Sequence, residues 1–175
     1  MALPRNRMSG GLPDPGGEPG LLTGHHEHMA QVKAIAERTV GAPADTVRAA
    51  VADYADVRPS LLTGHFSEYE VRAGGIGDGT TVHWKLAATS KRVRECLIEV
   101  SQPAEGQLVE RDANSSMVTT WTVRPSGPNT SAVTVETTWS GATGVGGFFE
   151  RMFAPGGLRR IYDGVLANLD RSLRA

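Results

Sequence analysis

A chain of 175 residues with 39% hydrophobic and 21% charged residues is long enough for one domain with a substantial core. Its formal net charge of −1 supplies no basic field, which argues against a nucleic-acid binder or a protein drawn to anionic membranes, and no apolar run approaches the ~20 residues of a membrane span. One cysteine, Cys96, rules out an intrachain disulfide and fits a reducing cytoplasm.

Residues 1–30 are dominated by glycine, proline and isolated polar side chains, as in Leu12-Pro13-Asp14-Pro15-Gly16-Gly17. Such a segment cannot bury enough apolar surface to offset chain entropy, so a disordered tail is expected ahead of a domain spanning 31–175. Arg5 and Arg7 are followed by no apolar core, so this is not a secretory signal, and Met29 is an alternative start. His25-His26-Glu27-His28 has metal-binding side chains, but a floppy tract lacks the fixed geometry of a metal site, and none is expected.

Val32 to Val40 alternates apolar and polar residues, a first strand ended by Gly41-Ala42-Pro43. Pro43 suits the first position of a helix and Asp45 suits its first turn. Val47, Ala50, Val51 and Tyr54 then follow the i, i+3, i+4, i+7 pattern of a helix to about Asp53. Ala55–Leu62, with Pro59, reads as a second short helix or turn. Strands follow at Ser67–Arg72, Thr80–Thr89, Arg92–Ser101, Gln107–Asp112, Met117–Arg124 and Ser131–Ser140, separated by glycine-, asparagine- and proline-bearing turns. Strands in direct succession describe an antiparallel meander, not βαβ units.

Period two assigns the faces. Val82, Trp84, Leu86 and Ala88 share one; Cys96, Ile98 and Val100 another; Met117, Thr119, Trp121 and Val123 a third; Val133, Val135, Thr137 and Trp139 a fourth. At the C-terminus Leu158, Ile161, Tyr162, Val165, Leu166, Leu169 and Leu173 form the stripe of a long amphipathic helix. Phe148, Phe149, Met152 and Phe153 read as a short helical segment, broken from the long helix by Pro155-Gly156-Gly157. The expected architecture is α+β: a curved seven-stranded antiparallel sheet around a long C-terminal helix, with two short helices after the first strand.

The run Val40-Gly41-Ala42-Pro43-Ala44-Asp45-Thr46-Val47, the following Val51-Ala52-Asp53-Tyr54, Trp121-Thr122-Val123 and the closing Ala154-Pro155-Gly156-Gly157-Leu158-Arg159-Arg160-Ile161-Tyr162 resemble the START/Bet v 1-like superfamily. Within it they are most similar to actinobacterial SRPBCC proteins, the polyketide cyclase/dehydrase and lipid-transport group, over residues 31–175. Where many relatives carry a Tyr-Pro-Xaa-Trp-type segment, this chain has Val57-Arg58-Pro59-Ser60-Leu61-Leu62. The resemblance implies a helix-grip fold with an apolar cavity between sheet and last helix.

Tyr69, Trp84, Met117, Trp121, Trp139, Phe148, Phe149, Met152, Phe153, Tyr162 and Leu166 would line that cavity; the same residues would equally serve as packed core. A glycine-rich run from Gly141 to Gly147 would allow a lid, or would simply be a long loop. For chemistry, His65 near the mouth and Tyr162 are the candidates for a positioned acid or base, while His83 faces outward; Arg94, on the inward register with Cys96, could pair with a ligand carboxylate but is expected to reach solvent at the strand end. Cys96 reads as an inert thiol. Lys91-Arg92-Arg94 and Arg159-Arg160 read as a hairpin tip and a solvated helix face. No P-loop, dinucleotide fingerprint or metal spacing is present, and no cofactor is expected. Three functions remain open: a carrier of a small hydrophobic molecule (lipid, polyketide or isoprenoid), an aromatase/cyclase or dehydrase using the same cavity, and an interaction module with a collapsed interior.

Overall fold

The structure, a computed structural model, describes residues 31–140 and 155–175. Its elements are β1 (Gln31–Val40), α1 (Ala44–Ala52), α2 (Arg58–Leu61), β2 (Phe66–Ala73), β3 (Thr81–Thr89), β4 (Arg92–Ala104), β5 (Gln107–Asp112), β6 (Val118–Gly127), β7 (Thr130–Ser140) and α3 (Pro155–Arg174). The seven strands form one sheet in the order β1-β7-β6-β5-β4-β3-β2, and every neighbouring pair is antiparallel. This is the α+β helix-grip arrangement, with α3 lying across the sheet and packing most densely on β1. The expected N-terminal tail, the His25–His28 tract, the Gly141–Gly147 run and the Phe148–Phe153 segment lie outside the described residues.

Strand alternation sets the layers as period two requires. Val82, Trp84 and Leu86 on β3, Ile98 and Val100 on β4, Trp121 and Val123 on β6, and Val133, Val135 and Trp139 on β7 are all buried. Val47 and Val51 of α1 and the stripe Leu158, Ile161, Tyr162, Val165, Leu166 and Leu169 of α3 close over them. Gly164 of α3 meets the α2–β2 link: a Cβ there would lie 2.9 Å from Thr63 Cγ2. Nearby, Asn168 Nδ2 donates to Leu61 O at 3.0 Å, so side-chain volume and hydrogen bonding both fix how α3 sits on α2.

Helix boundaries differ from the sequence expectation at two places, each for a local reason. Helix α1 stops at Ala52, short of Tyr54. Asp53 turns extended and bridges to Ile76, and the N–H groups of Tyr54 and Ala55 both donate to Gly75 O, at 2.8 and 3.1 Å. Gly74 and Gly75, at φ +67° and +132°, let the β2–β3 loop present that carbonyl. A tertiary acceptor has therefore replaced the next helical one. At the other end, Pro155-Gly156-Gly157 does not break α3 but forms its first turn. Proline lacks only an N–H that a first turn leaves unpaired anyway, and its φ is already helical. Strand β2 bulges between Ser67 and Glu70, where Glu68 takes φ +50°, adding local twist at this edge of the sheet.

Asp170 locks the end of α3 to the β1–α1 turn. Its Oδ1 accepts the Gly41 N–H at 3.0 Å and Arg174 Nε at 2.7 Å, and Oδ2 accepts Arg38 Nε at 3.4 Å. The Gly41 N–H bond, joined by the two arginines, holds this carboxyl below the usual carboxylate range despite the opposing effect of burial. A depressed folded-state pKa means that the unfolded chain binds the proton more readily. The stabilisation is then complete above the unfolded value of about 3.9 and is lost as pH falls through the lower folded value. Asp170→Ala is expected to lower urea stability by about 1–3 kcal/mol, because it orphans the Gly41 N–H, and to flatten the acid limb of the stability–pH curve.

Candidate functional site

The inner face of the sheet is apolar except where β5 and its neighbours cross it. On β5 the inward register is Leu108, Glu110 and Asp112, so two carboxylates enter the interior from the middle of the sheet. Glu110 pairs across the sheet with Thr119 of β6, and Thr119 with Thr137 of β7. The two threonine hydroxyls are buried and 2.8 Å apart. Arg58, at the start of α2, reaches down onto this row. Its Nη2 lies 2.8 Å from Glu110 Oε1, and both residues are only 2% exposed.

That ion pair is the core of a cluster. Arg58 Nη2 also donates to Val51 O and to the Tyr54 hydroxyl, each at 3.0 Å, and the Tyr54 hydroxyl donates to Glu110 Oε1 at 2.6 Å. The guanidinium lies 4.6 Å over the Tyr54 ring and 4.3 Å over the Trp121 ring, a cation–π arrangement on both. Burial opposes the charge on Arg58, yet the facing Tyr54 and Glu110 raise its pKa, so the guanidinium stays protonated. Burial drives the Tyr54 hydroxyl well above its ordinary range, with Glu110 adding to the rise and Arg58 opposing it. The hydroxyl is a donor, not a base.

From Arg58 an aromatic series runs around the interior and returns. Trp121 meets Tyr162 of α3 edge-on at 6.0 Å; Tyr162 meets Phe66 of β2 at 6.5 Å; Phe66 meets Trp84 of β3 at 5.8 Å. Trp84 stacks on Tyr69 at 6.0 Å with an interplanar angle of 6°. The Tyr69 hydroxyl donates to Tyr54 O at 2.7 Å, closing the belt. Six separate segments contribute to it: the α1–α2 link, α2, β2, β3, β6 and α3. Within it burial, with Glu110 nearby, pushes the pKa of the Tyr162 hydroxyl up, against the opposing effect of Thr119 and Arg58.

Of the residues singled out from the sequence, Tyr69, Trp84, Trp121 and Tyr162 come together in this belt. Met117, Trp139 and Leu166 are buried elsewhere in the core, Trp139 pairing across to Val32 of β1. Phe148, Phe149, Met152 and Phe153 lie outside the described residues. His65 is exposed, with Nδ1 3.0 Å from the Thr63 hydroxyl, and so sits away from the buried cluster. His83 is on the outer face, against Glu68 O. Cys96 is buried beside Trp84, its cross-strand partner, and burial, reinforced by Asp112, pushes its thiol far up. Arg94 corrects an expectation: it does not reach solvent but is 8% exposed, with Nη2 donating to Asn114 O at 2.8 Å and Nε 3.7 Å from Asp112. Asp112 also accepts from Asn114 N and the Ser115 hydroxyl in the β5–β6 turn and from Leu97 N of β4, so this pair fastens the turn to the neighbouring strand.

Arg58, Glu110, Tyr54, Phe66 and Thr119 were not among the site candidates read from the sequence. Glu110 carried a signal: Leu108-Val109-Glu110-Arg111-Asp112 puts its acids on the same register as Leu108. Arg58 carried none beyond its place before Pro59. An open groove of about 380 Å³ lies between β1 and the start of α3, lined by Lys33, Ala34, Ile35, Pro155, Gly156 and Arg159. Its cations are already paired, Lys33 with Glu136 and Arg159 with Asp163, and it shares no residue with the belt.

The sequence profile of the family described as polyketide cyclase/dehydrase and lipid transport matches residues 31–174. The chain belongs to this family. No curated protein matches it. Among solved structures, the solution structure of KanY protein is 48% identical over 84% of this chain and 100% of its own, with a TM-score of 0.76. Zhui aromatase/cyclase from Streptomyces sp. R1128 is 17% identical over 83% and 98%, at 0.59. Norcoclaurine synthase from Thalictrum flavum, in complex with dopamine and hydroxybenzaldehyde, is 17% identical over 83% and 88%, at 0.58. At that identity the last two speak for the fold alone, which is the START/Bet v 1-like one.

Two outcomes follow from the buried groups. Glu110→Ala leaves Arg58 charged and uncompensated and is expected to lower stability by about 3–5 kcal/mol. Replacing both partners, Arg58→Met with Glu110→Leu, should lose clearly less than the two single changes summed, as a denaturant double-mutant cycle would read. Cys96 should stay unmodified by a thiol reagent in the native protein and react fully once denaturant is added.

Proposed function

We propose that this chain binds a small hydrophobic molecule, lipid-, polyketide- or isoprenoid-like, against the aromatic belt under α3, and carries or sequesters it in the cytoplasm. The observation that supports this most is the belt itself: five aromatic residues from four elements, one buried guanidinium and one carboxylate converge on a single region. Apolar walls with a few fixed polar groups are the usual make-up of small-molecule sites. The family's description, which includes lipid transport, agrees.

Native mass spectrometry of protein purified from its host, followed by denaturing extraction, tests the reading. A discrete apolar molecule released from the protein is the expected result. A ligand-free mass, together with no rise in melting temperature across a panel of lipids and aromatics, would reject it and leave a protein-interaction module with a collapsed interior.

A second reading, an aromatase/cyclase or dehydrase-type enzyme, is supported by the Tyr162 hydroxyl, a buried group inside the belt that stays protonated. Tyr162→Phe separates the two: a carrier retains its ligand within a few-fold, whereas an enzyme using that donor for general-acid chemistry loses about 10²-fold or more in turnover. His65→Ala serves as the comparison, because an exposed ring away from the cluster should alter neither.

A further inference from the structure

We propose that the free edge of β1 is an interface, on which two copies of this chain pair their β1 strands antiparallel about a two-fold axis at Ile35. Nothing in this pairing depends on what the interior binds.

The two edges of the sheet are finished differently. Strand β2 breaks its register twice, between Ser67 and Glu70 and between Val71 and Ala73, and its Glu68 takes φ +50°. Bulges of this kind twist an edge away from further pairing. Strand β1 has none. Its ten residues run in unbroken register against β7, from Gln31 opposite Ser140 to Val40 opposite Ser131, and contain no proline. No described strand pairs with its other side. A long, regular edge of this kind is a ready template for another strand. Space lies beside it. The groove of about 380 Å³ has Lys33, Ala34 and Ile35 on one side and the first turn of α3 on the other. A Cβ added at Gly156 or Gly157 of that turn would meet nothing described within 4 Å.

The outward face of β1 decides which strand fits. Period two puts Lys33, Ile35 and Glu37 on it in succession, all exposed, with Ala34 and Ala36 buried on the inner face. Ile35 is 39% exposed, one of three large apolar side chains left so among the described residues. A cation two residues before it and an anion two residues after it make this face complementary to itself. Antiparallel pairing centred on Ile35 sets the two Ile35 side chains against each other and each Lys33 against Glu37 of the second copy. On the inner side it sets Ala34 opposite Ala36, so no bulky side chain obstructs the approach. Shifting the second strand by two residues would put Ile35 opposite a charge, and shifting it by four would put like charges opposite each other. Lys33 already pairs with Glu136 at 3.3 Å, but that pair is exposed, and an ammonium with three donors can bridge Glu136 and the second copy's Glu37.

An interface of one strand edge is small, so a reversible dimer with a Kd of about 10–100 µM is expected. Sedimentation velocity of the full chain, across concentrations on either side of that range, should show a monomer passing to a dimer. Lys33→Glu and Glu37→Lys should each weaken self-association about tenfold or more, because like charges then face each other. Mixed together, the same two variants should associate about as tightly as the parent protein, since one chain carries only acids at these two positions and the other only bases. Ile35→Cys should form an intermolecular disulfide on mild oxidation, whereas Lys33→Cys should not, its two copies lying four residues out of register. A monomer at the highest concentration overturns the proposal and leaves this edge to a strand from a different protein. A dimer that neither charge reversal weakens, or that the mixture does not restore, overturns it as well, since the contact would then lie elsewhere. Should a charge variant fail to fold, the two cysteine variants still decide.

Discussion

The contact between Arg58 and Glu110 is the constraint on which the interior depends. Glu110 stands on β5, the fourth strand of seven and hence the middle of the sheet. Arg58 belongs to a helix of four residues, too short to hold itself together by backbone bonding. The ion pair, the Arg58 bond to Val51 O and the stack on Trp121 supply what α2 lacks, and they tie the α1–α2 segment to the centre of the sheet. Desolvating two charges is expensive, and Coulomb attraction alone seldom recovers it. Here Tyr54 bonds to both partners and two ring faces flank the cation, so the pair is solvated by fixed groups in place of water.

Everything placed around that pair inherits its position. Tyr54 is drawn out of α1 by the Gly75 carbonyl, which turns its ring toward Arg58 and frees its own carbonyl for Tyr69. Trp121 meets the guanidinium on its face and Tyr162 on its edge, so the sheet and α3 are joined through one indole. The fold is shared with carriers and enzymes alike and does not distinguish them. The chemistry open to this chain is set by the content of the region: a compensated cation, hydroxyls that stay protonated and a thiol, Cys96, that burial silences. Those groups suit holding and orienting a molecule better than attacking one.

Most of the scaffold was legible because it follows from period. Alternation in β3, β4, β6 and β7 and the seven-membered stripe of α3 assign a face to each side chain without knowledge of its neighbours. Four belt aromatics were legible for the same reason. Helix ends were not, since α1 is cut short by a carbonyl more than twenty residues away, and Pro155 starts a helix by the same property that would break one. The polar cluster was hidden because a charged side chain next to a proline reads as surface by default. Its burial depends on Glu110, some fifty positions on. Arg94 failed the same way: its partner Asp112 comes from the adjacent strand, which sequence spacing does not reveal.

The strand order carries a consequence for how the molecule assembles. Strands β2 to β7 follow the chain as successive hairpins, each closing a short loop, whereas β1 pairs with β7 across roughly ninety residues. Loop-closure entropy favours the hairpins first and delays β1 until its distant partner is in place. Helix α3 packs chiefly on β1, and Asp170 fastens the two, so the last pairing of the sheet and the seating of α3 are expected to form as one event. Tyr162 enters the belt only with α3. Until that step the sheet has no cover on its apolar face, so the belt and the last strand pairing are completed together.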